Sequence, residues 1–315
     1  MGFLEVVKRY KSAYKNYLYV MFILKIQAKN IDAVVKGMAK SSTLPKINVV
    51  LKDGSKESLT PFLVWVGSVI NTYNKTPNYT IRNIINDLKN DCFIWRNQKI
   101  ILHGLETNGT IDEIYFEDCY KFLNVKDEIV IDIGANIADS SIYFALQGAK
   151  KVIALEPALY PYKFAQKNII ANNLQNIIEL LNAGYGIDKK IYVDKKKETG
   201  TGYILKETTS GKQIDIYSLS TLINRYNISS AILKMDCEGC EYNLLTEDDN
   251  VLKTFKKIQI EYHYGYKNLK EKLEKCGFNV KYTEPVKMYD KYAKNHPMKI
   301  GFIYAEIKST SKVDL

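Results

Sequence analysis

Apolar and polar positions keep one rhythm over the first third of the chain and another over the rest. Between residues 3 and 38, Leu4, Val7, Tyr10, Tyr14, Tyr17, Met21 and Leu24 recur at three- or four-residue steps, with lysines on much of the opposite face. That spacing predicts a long amphipathic helix. Such a helix is suited to packing on the body of the protein, on a second subunit as a homo-oligomer contact, or on a membrane surface. "INVVLKDGSKESLT" (47–60) predicts a strand, an Asp-Gly turn and a strand, and Pro61 opens a predicted helix, "PFLVWVGSVINTY". The stretch from there to about residue 126 reads as loop-rich.

From residue 128 the pattern becomes short apolar runs alternating with helical segments. "EIVIDIG", "KKVIALEP", "NIIELLNAG", "SAILKMD" and "KKIQIEYH" read as strands. "SSIYFALQGA", "YKFAQKNIIANN" and "YKNLKEKLEKCG" read as helices, and "FNVKYTEP" with "MKIGFIYAEIK" closes as a strand pair. A lysine-rich, irregular excursion interrupts the order after the third strand. Strands that are apolar throughout and alternate with helices predict an α/β fold, a doubly wound and mostly parallel Rossmann-like sheet covered on both faces. Its ligand is then expected at the carboxyl ends of the strands.

Charge and cysteine content narrow the classes. The formal net charge is +10, and residues 1–40 hold eight Lys or Arg against two acids. A patch of that sign suits nucleic acid, an anionic membrane or an acidic partner, and equally a solvated helix face. No apolar run approaches the roughly 20 residues that span a bilayer. The run "YLYVMFIL" is followed by "KIQAKN" rather than a small-residue cleavage site, so a cytoplasmic protein is expected. Five cysteines are too few and odd in number for a disulfide framework. Cys237 and Cys240 form a lone C-x-x-C, read here as two small buried hydrophobes rather than a redox pair or half a zinc site. The three histidines, His103, His263 and His296, lack metal-finger spacing, and no metal site is expected.

The chemistry concentrates in "VIDIGANIADSS" (130–141). A strand, a tight loop and a helix start bring backbone N–H groups towards a ligand. A dinucleotide fingerprint needs three glycines, and only Gly134 is present. Asn136 tolerates left-handed dihedrals and Ala138 is small. A diphosphate fits that loop poorly, whereas adenosine with a methionine tail fits it. Glu156 ends the next strand, 22 positions after Gly134, where a carboxylate can accept hydrogen bonds from ribose hydroxyls.

These segments, with "ILKMDCEGCEYNLL" and "IQIEYH", resemble the FkbM-type methyltransferases, a branch of the class I S-adenosylmethionine-dependent enzymes. The likeness runs from about 110 to 307. Asp236, Glu238, Gly239 and Glu241 match the family's D-x-E-G-x-E element, while Ala138 replaces a glycine of D-x-G-A-N-x-G. The resemblance implies a seven-stranded sheet whose last strand is antiparallel, and S-adenosylmethionine as cofactor. It places Asp132, Gly134, Ala135 and Asn136 around the methionine portion, Glu156 and Pro157 at the ribose, Asn182 and Ala183 near adenine, and Asp236 close by. It also implies an O-methyltransferase acting on a sugar, a glycolipid or another small-molecule acceptor. The expected division is a helical extension (1–42), an accessory α+β region (43–126) and the cofactor-binding methyltransferase domain (127–315).

A hydroxyl acceptor needs a base, and the strand tips offer Asp236, Glu238, Glu261 and His263. His263 titrates near neutrality, and Glu261, two positions away, shares its face if both lie in the strand. The alternatives are an RNA or DNA methyltransferase, encouraged by the basic charge, and a methyltransferase-like protein that binds without catalysing. A D/N-P-P-Y/F motif of base-methylating enzymes is missing where the chain reads "KMDCEGCE". An NAD-dependent oxidoreductase is disfavoured by the missing glycines.

Overall fold

The computed structural model describes residues 47–50, 56–73, 78–105, 110–193, 207–288 and 298–308. The amphipathic helix expected over 3–38 lies outside them. Chain contacts divide the protein into two units, residues 1–101 with 110–117 and residues 102–109 with 118–315.

In the first unit, β1 (Ile47–Val50) and β2 (Lys56–Leu59) pair antiparallel as the Asp-Gly pattern predicts, and α1 (Pro61–Tyr73) starts at its proline. The region read as loop-rich is more regular than expected. Helix α2 (Ile81–Lys89) begins at a capping box in which Thr80 and Asn83 bond each other's backbone N–H. It buries Ile84, Ile85 and Leu88, a three- and four-residue stripe. A hairpin follows, β3 (Cys92–Trp95) and β4 (Gln98–Ile101), turned by Arg96 and Asn97 in left-handed conformations. Its strands are only four residues long, and without an Asn-Gly or Asp-Gly turn they give little pattern to read.

The second unit is built on a sheet with seven strands in its main path. They are β5 (Ile129–Ile133), β6 (Lys151–Leu155), β7 (Ile178–Leu181), β12 (Ala231–Met235), β13 (Phe255–Tyr262), β14 (Phe278–Tyr282) and β16 (Met298–Ile307). Their spatial order is β14-β16-β13-β12-β5-β6-β7, with the short β15 (Val286–Met288) added to β16. Strand β16 alone runs antiparallel to both its neighbours in that path, as expected for the last strand. Helices α3 (Asp139–Leu146), α4 (Leu159–Ala171) and α7 (Lys267–Lys275) connect strands, as do the shorter α5 (Leu219–Arg225) and α6 (Asp249–Leu252). Both faces are covered, so β12 is buried at every position, including Lys234.

The lysine-rich excursion is a second, four-stranded sheet, β10-β9-β11-β8. It comprises β8 (Ala183–Tyr185), β9 (Lys189–Val193), β10 (Glu207–Thr208) and β11 (Lys212–Tyr217). Every second residue of β9 and β11 is buried, and Ile191, Val193, Ile214 and Ile216 pack together. Lysines and aspartate on the other face hid that alternation. Strand order reverses between β5 and β12, on one side, and β6, on the other, so the carboxyl end of β5 is the topological switch point.

Candidate active site

At that switch point opens a cleft of about 860 Å3, continuous with solvent. Its walls come from the tip of β5 (Ile133, Gly134, Asn136), the tip of β6 (Leu155, Glu156, Pro157), the small sheet (Ala183, Gly184, Tyr185, Ile216) and the turn after β12 (Asp236, Cys237, Glu238, Cys240). The mix of apolar walls with a few polar groups suits a small-molecule ligand.

Gly134 is required by close approach. Its φ is +78°, and a Cβ there would stand 1.7 Å from the carbonyl oxygen of Asp236. The loop beyond it takes left-handed dihedrals at Asn136 (φ +48°) and Ala138 (φ +68°). The expectation that loop N–H groups face the ligand needs correction. Gly134 and Ala135 both donate to the Leu155 carbonyl, at 3.1 and 2.9 Å, and Ala138 donates to Ala135. Asn136 N–H donates to Glu156 Oε2 at 2.9 Å. The loop therefore spends these four N–H groups on its own shape, which suits a diphosphate poorly.

Glu156 stands where the sequence put it, buried at the cleft wall, and its Oε1 accepts from the N–H of Ala158 at 2.8 Å. Burial pushes its carboxyl up to about 8, against the two backbone N–H groups that favour the anion. With one protein donor on each oxygen, each retains acceptor capacity. Pro157 borders the cleft, and Asn182 Nδ2 donates to the carbonyls of Glu156 and Pro157, fixing the turn. Asn182 itself does not border the cleft, whereas its neighbour Ala183 does.

Asp132 and Ala135 are buried beneath the loop and do not border the cleft. Asp132 accepts from the Ser140 and Ser141 hydroxyls at 2.7 and 2.6 Å and pairs with Lys234 Nζ at 3.0 Å. Lys234, equally buried, also donates to the Gly134 carbonyl at 2.9 Å. This pair ties β5, α3 and β12 together under the cleft. A lysine inside an apolar run carried no signal of it.

On the opposite wall, Asp236 and Glu238 border the cleft and form one ion cluster with the buried Glu241 and His263, which do not border it. His263 follows β13, and both its backbone N–H and its Nδ1 lie on Glu241 Oε1, at 2.9 and 3.0 Å. Its Nε2 lies 3.2 Å from Glu238 and 3.9 Å from Asp236. Burial lowers the imidazole pKa, but the hydrogen bond and charge of Glu241, then the charges of Glu238 and Asp236, outweigh it and raise His263 to about 9. The expectation that His263 titrates near neutrality is corrected: three carboxylates hold the ring charged at pH 7. Asp236, Glu238 and His263 offer ligand atoms within 4.8 Å of one another, a grouping with no sequence spacing to announce it. Glu261, within β13 opposite Phe302, does not border the cleft.

Cys237 and Cys240 are not buried hydrophobes. Both are half-buried on the cleft wall and joined in a disulfide. The sequence reading also missed Tyr185 and Ile216, because the small sheet that presents them read as irregular.

A family model described as the methyltransferase FkbM domain matches residues 132–280, from the buried Asp132 to β14. The core of the second unit is thus similar to the methyltransferase FkbM domain. Uncharacterized protein 158B of Sulfolobus islandicus rod-shaped virus 1 is 28% identical over 164 residues, 51% of this chain and 76% of that protein. Among solved structures, the chain is similar to M. jannaschii TYW2 in complex with AdoMet, with 16% identity, a TM-score of 0.36, and 69% of this chain and 86% of that one covered. It is also similar to an rRNA methylase from Streptococcus thermophilus, with 15% identity, a TM-score of 0.36, and 62% and 96% covered. No helix among the described residues is long and apolar enough to cross a membrane.

Proposed function

We propose that the FkbM-like domain binds S-adenosylmethionine in the cleft and methylates a hydroxyl of a small-molecule acceptor such as a sugar or glycolipid. The observation that carries this reading is the buried carboxyl group of Glu156 at the tip of β6, beside a loop whose Gly134, Ala135, Asn136 and Ala138 N–H groups are already bonded within the protein. That donor set fits a nucleoside without phosphates: Glu156 accepts from the ribose hydroxyls, and Gly134 and Asn136 flank the amino-acid tail. Ala183, Tyr185 and Ile216 supply apolar surface for the base. Asp132 and Ala135 act on the ligand only through the loop they support. When bound, the cofactor supplies an electrophilic methyl group.

The chain's own part is to take the acceptor's proton. Glu238 is engaged by the charged His263, so Asp236, farther from the ring and more exposed, is the better placed base. His263 stabilises the anionic cluster, and Glu261 has no role in proton transfer. Carboxylates at the cleft repel a phosphate backbone, which favours a small acceptor over nucleic acid. Calorimetry with S-adenosylhomocysteine and with NAD tests the cofactor, and binding of NAD alone would overturn the reading. Gel shifts with RNA over a salt series test the acceptor; tight, salt-steep binding would replace the small molecule with nucleic acid.

A further inference from the structure

We propose that Cys237 and Cys240 are a thiol–disulfide exchange site in the cleft wall, reduced by a dithiol and re-formed by an oxidised dithiol, and that the disulfide form is the one shaped to bind the cofactor. The ligand part of this inference rests on the reading of the cleft as a cofactor site.

The pair brackets Glu238 and Gly239, and both cysteines and Glu238 border the cleft. Glu238 has φ +56° and Gly239 φ +118°. A left-handed glutamate is strained and persists only where its surroundings over-determine it. Three constraints do so here. The disulfide closes the turn, Gly239 N–H donates to the buried Glu241 at 2.8 Å, and the Tyr264 ring stands 3.1 Å from where a Gly239 Cβ would be. Of these, only the disulfide is chemically reversible. Both cysteines are half-buried at a solvent-continuous cleft, whereas the free thiols Cys92 and Cys276 are buried and the half-buried thiol Cys119 does not border the cleft. In the exchange, a thiolate of the dithiol attacks one sulfur and the other leaves as thiolate. The second thiol of the reagent then resolves the mixed disulfide, so the protein gains two electrons and two protons and the reagent becomes a disulfide. Without the disulfide, the turn is still held by the contacts of Glu238 with His263 and of Gly239 with Glu241, but Glu238 leaves the left-handed region more readily and the wall it shares with Asp236 shifts.

The test uses the full chain purified without reductant. Alkylation under denaturing conditions should label Cys92, Cys119 and Cys276 at once, and Cys237 and Cys240 only after dithiothreitol. Hydrogen exchange over residues 236–246 should be faster in the reduced protein and in Cys237→Ser/Cys240→Ser. S-adenosylhomocysteine should bind about five- to thirtyfold more weakly to both than to the oxidised protein, the strain of one left-handed residue read as affinity. Dithiothreitol should leave the double variant unchanged. Labelling of all five cysteines without reductant, even after incubation with an oxidised dithiol, would overturn the proposal. Equal exchange and equal affinity in both redox states would overturn it too. If neither form binds S-adenosylhomocysteine while exchange still responds, the cofactor reading fails and the exchange site stands.

Discussion

Gly134→Ala probes the tightest contact of the cleft. The new methyl would lie 1.7 Å from the Asp236 carbonyl oxygen, 2.7 Å from its carbon and 3.3 Å from the Cys237 Cα. All three are backbone atoms of the β12 turn, so no side chain can swing aside. The ends of β5 and β12 must separate by about 1.5 Å to reach ordinary contact distances. Separation stretches the Asp236 N–H bond to the Ile133 carbonyl, now 3.1 Å, and pulls the Gly134 carbonyl from Lys234. Alanine at φ +78° adds about 1–2 kcal/mol of strain, overpacking about 1–3, and a lost hydrogen bond about 1. A destabilisation of about 3–6 kcal/mol is expected, with cofactor binding lost in whatever protein folds. Urea unfolding followed by circular dichroism, with calorimetry on S-adenosylhomocysteine, measures both. A loss below about 1 kcal/mol with unchanged affinity would refute the close approach.

Glu156→Ala leaves ribose hydroxyls unpaired and should weaken S-adenosylhomocysteine by about 1–3 kcal/mol; unchanged affinity would remove Glu156 from the ribose. Lys234→Met strands the buried Asp132 charge, so a loss of about 3–5 kcal/mol in urea unfolding is expected, and less when Asp132→Asn accompanies it. The folded pKa values of Glu156 (about 8) and His263 (about 9) both lie above their ordinary values. Their contributions to stability are therefore fully present below pH 4.5 and pH 6.5 respectively, and are lost as pH rises through 8 and 9. The urea midpoint should fall between pH 6 and 9.5, the fall should shrink in Glu156→Gln, and a flat profile would contradict both shifts. Once an acceptor is known, Asp236→Asn should cut turnover roughly 10²- to 10⁴-fold with cofactor affinity kept, and near-normal turnover would move the base to Glu238.

The strands of the main sheet were legible because a parallel sheet buried on both faces demands unbroken apolar runs such as "EIVIDIG" and "AILKM". Gly134 and Glu156 were legible for a local reason: each ends such a run, and the fold puts run ends at the ligand. The small sheet was not, since its strands hide their alternation behind lysines, and neither were α2 and the β3–β4 hairpin, which are short. What tertiary structure alone decided is charge and chemistry at contact. His263 looks like a base in the sequence because histidine titrates near neutrality, and only the approach of Glu241, Glu238 and Asp236 makes it a fixed cation. Asp132 looks like a ligand contact, and only the depth of β5 shows it paired with Lys234 instead. Cys237 and Cys240 fill variable positions of a motif, and only the left-handed turn at Glu238 and Gly239 brings their sulfurs together. Sequence period reports which face is buried; it does not report which charges meet there.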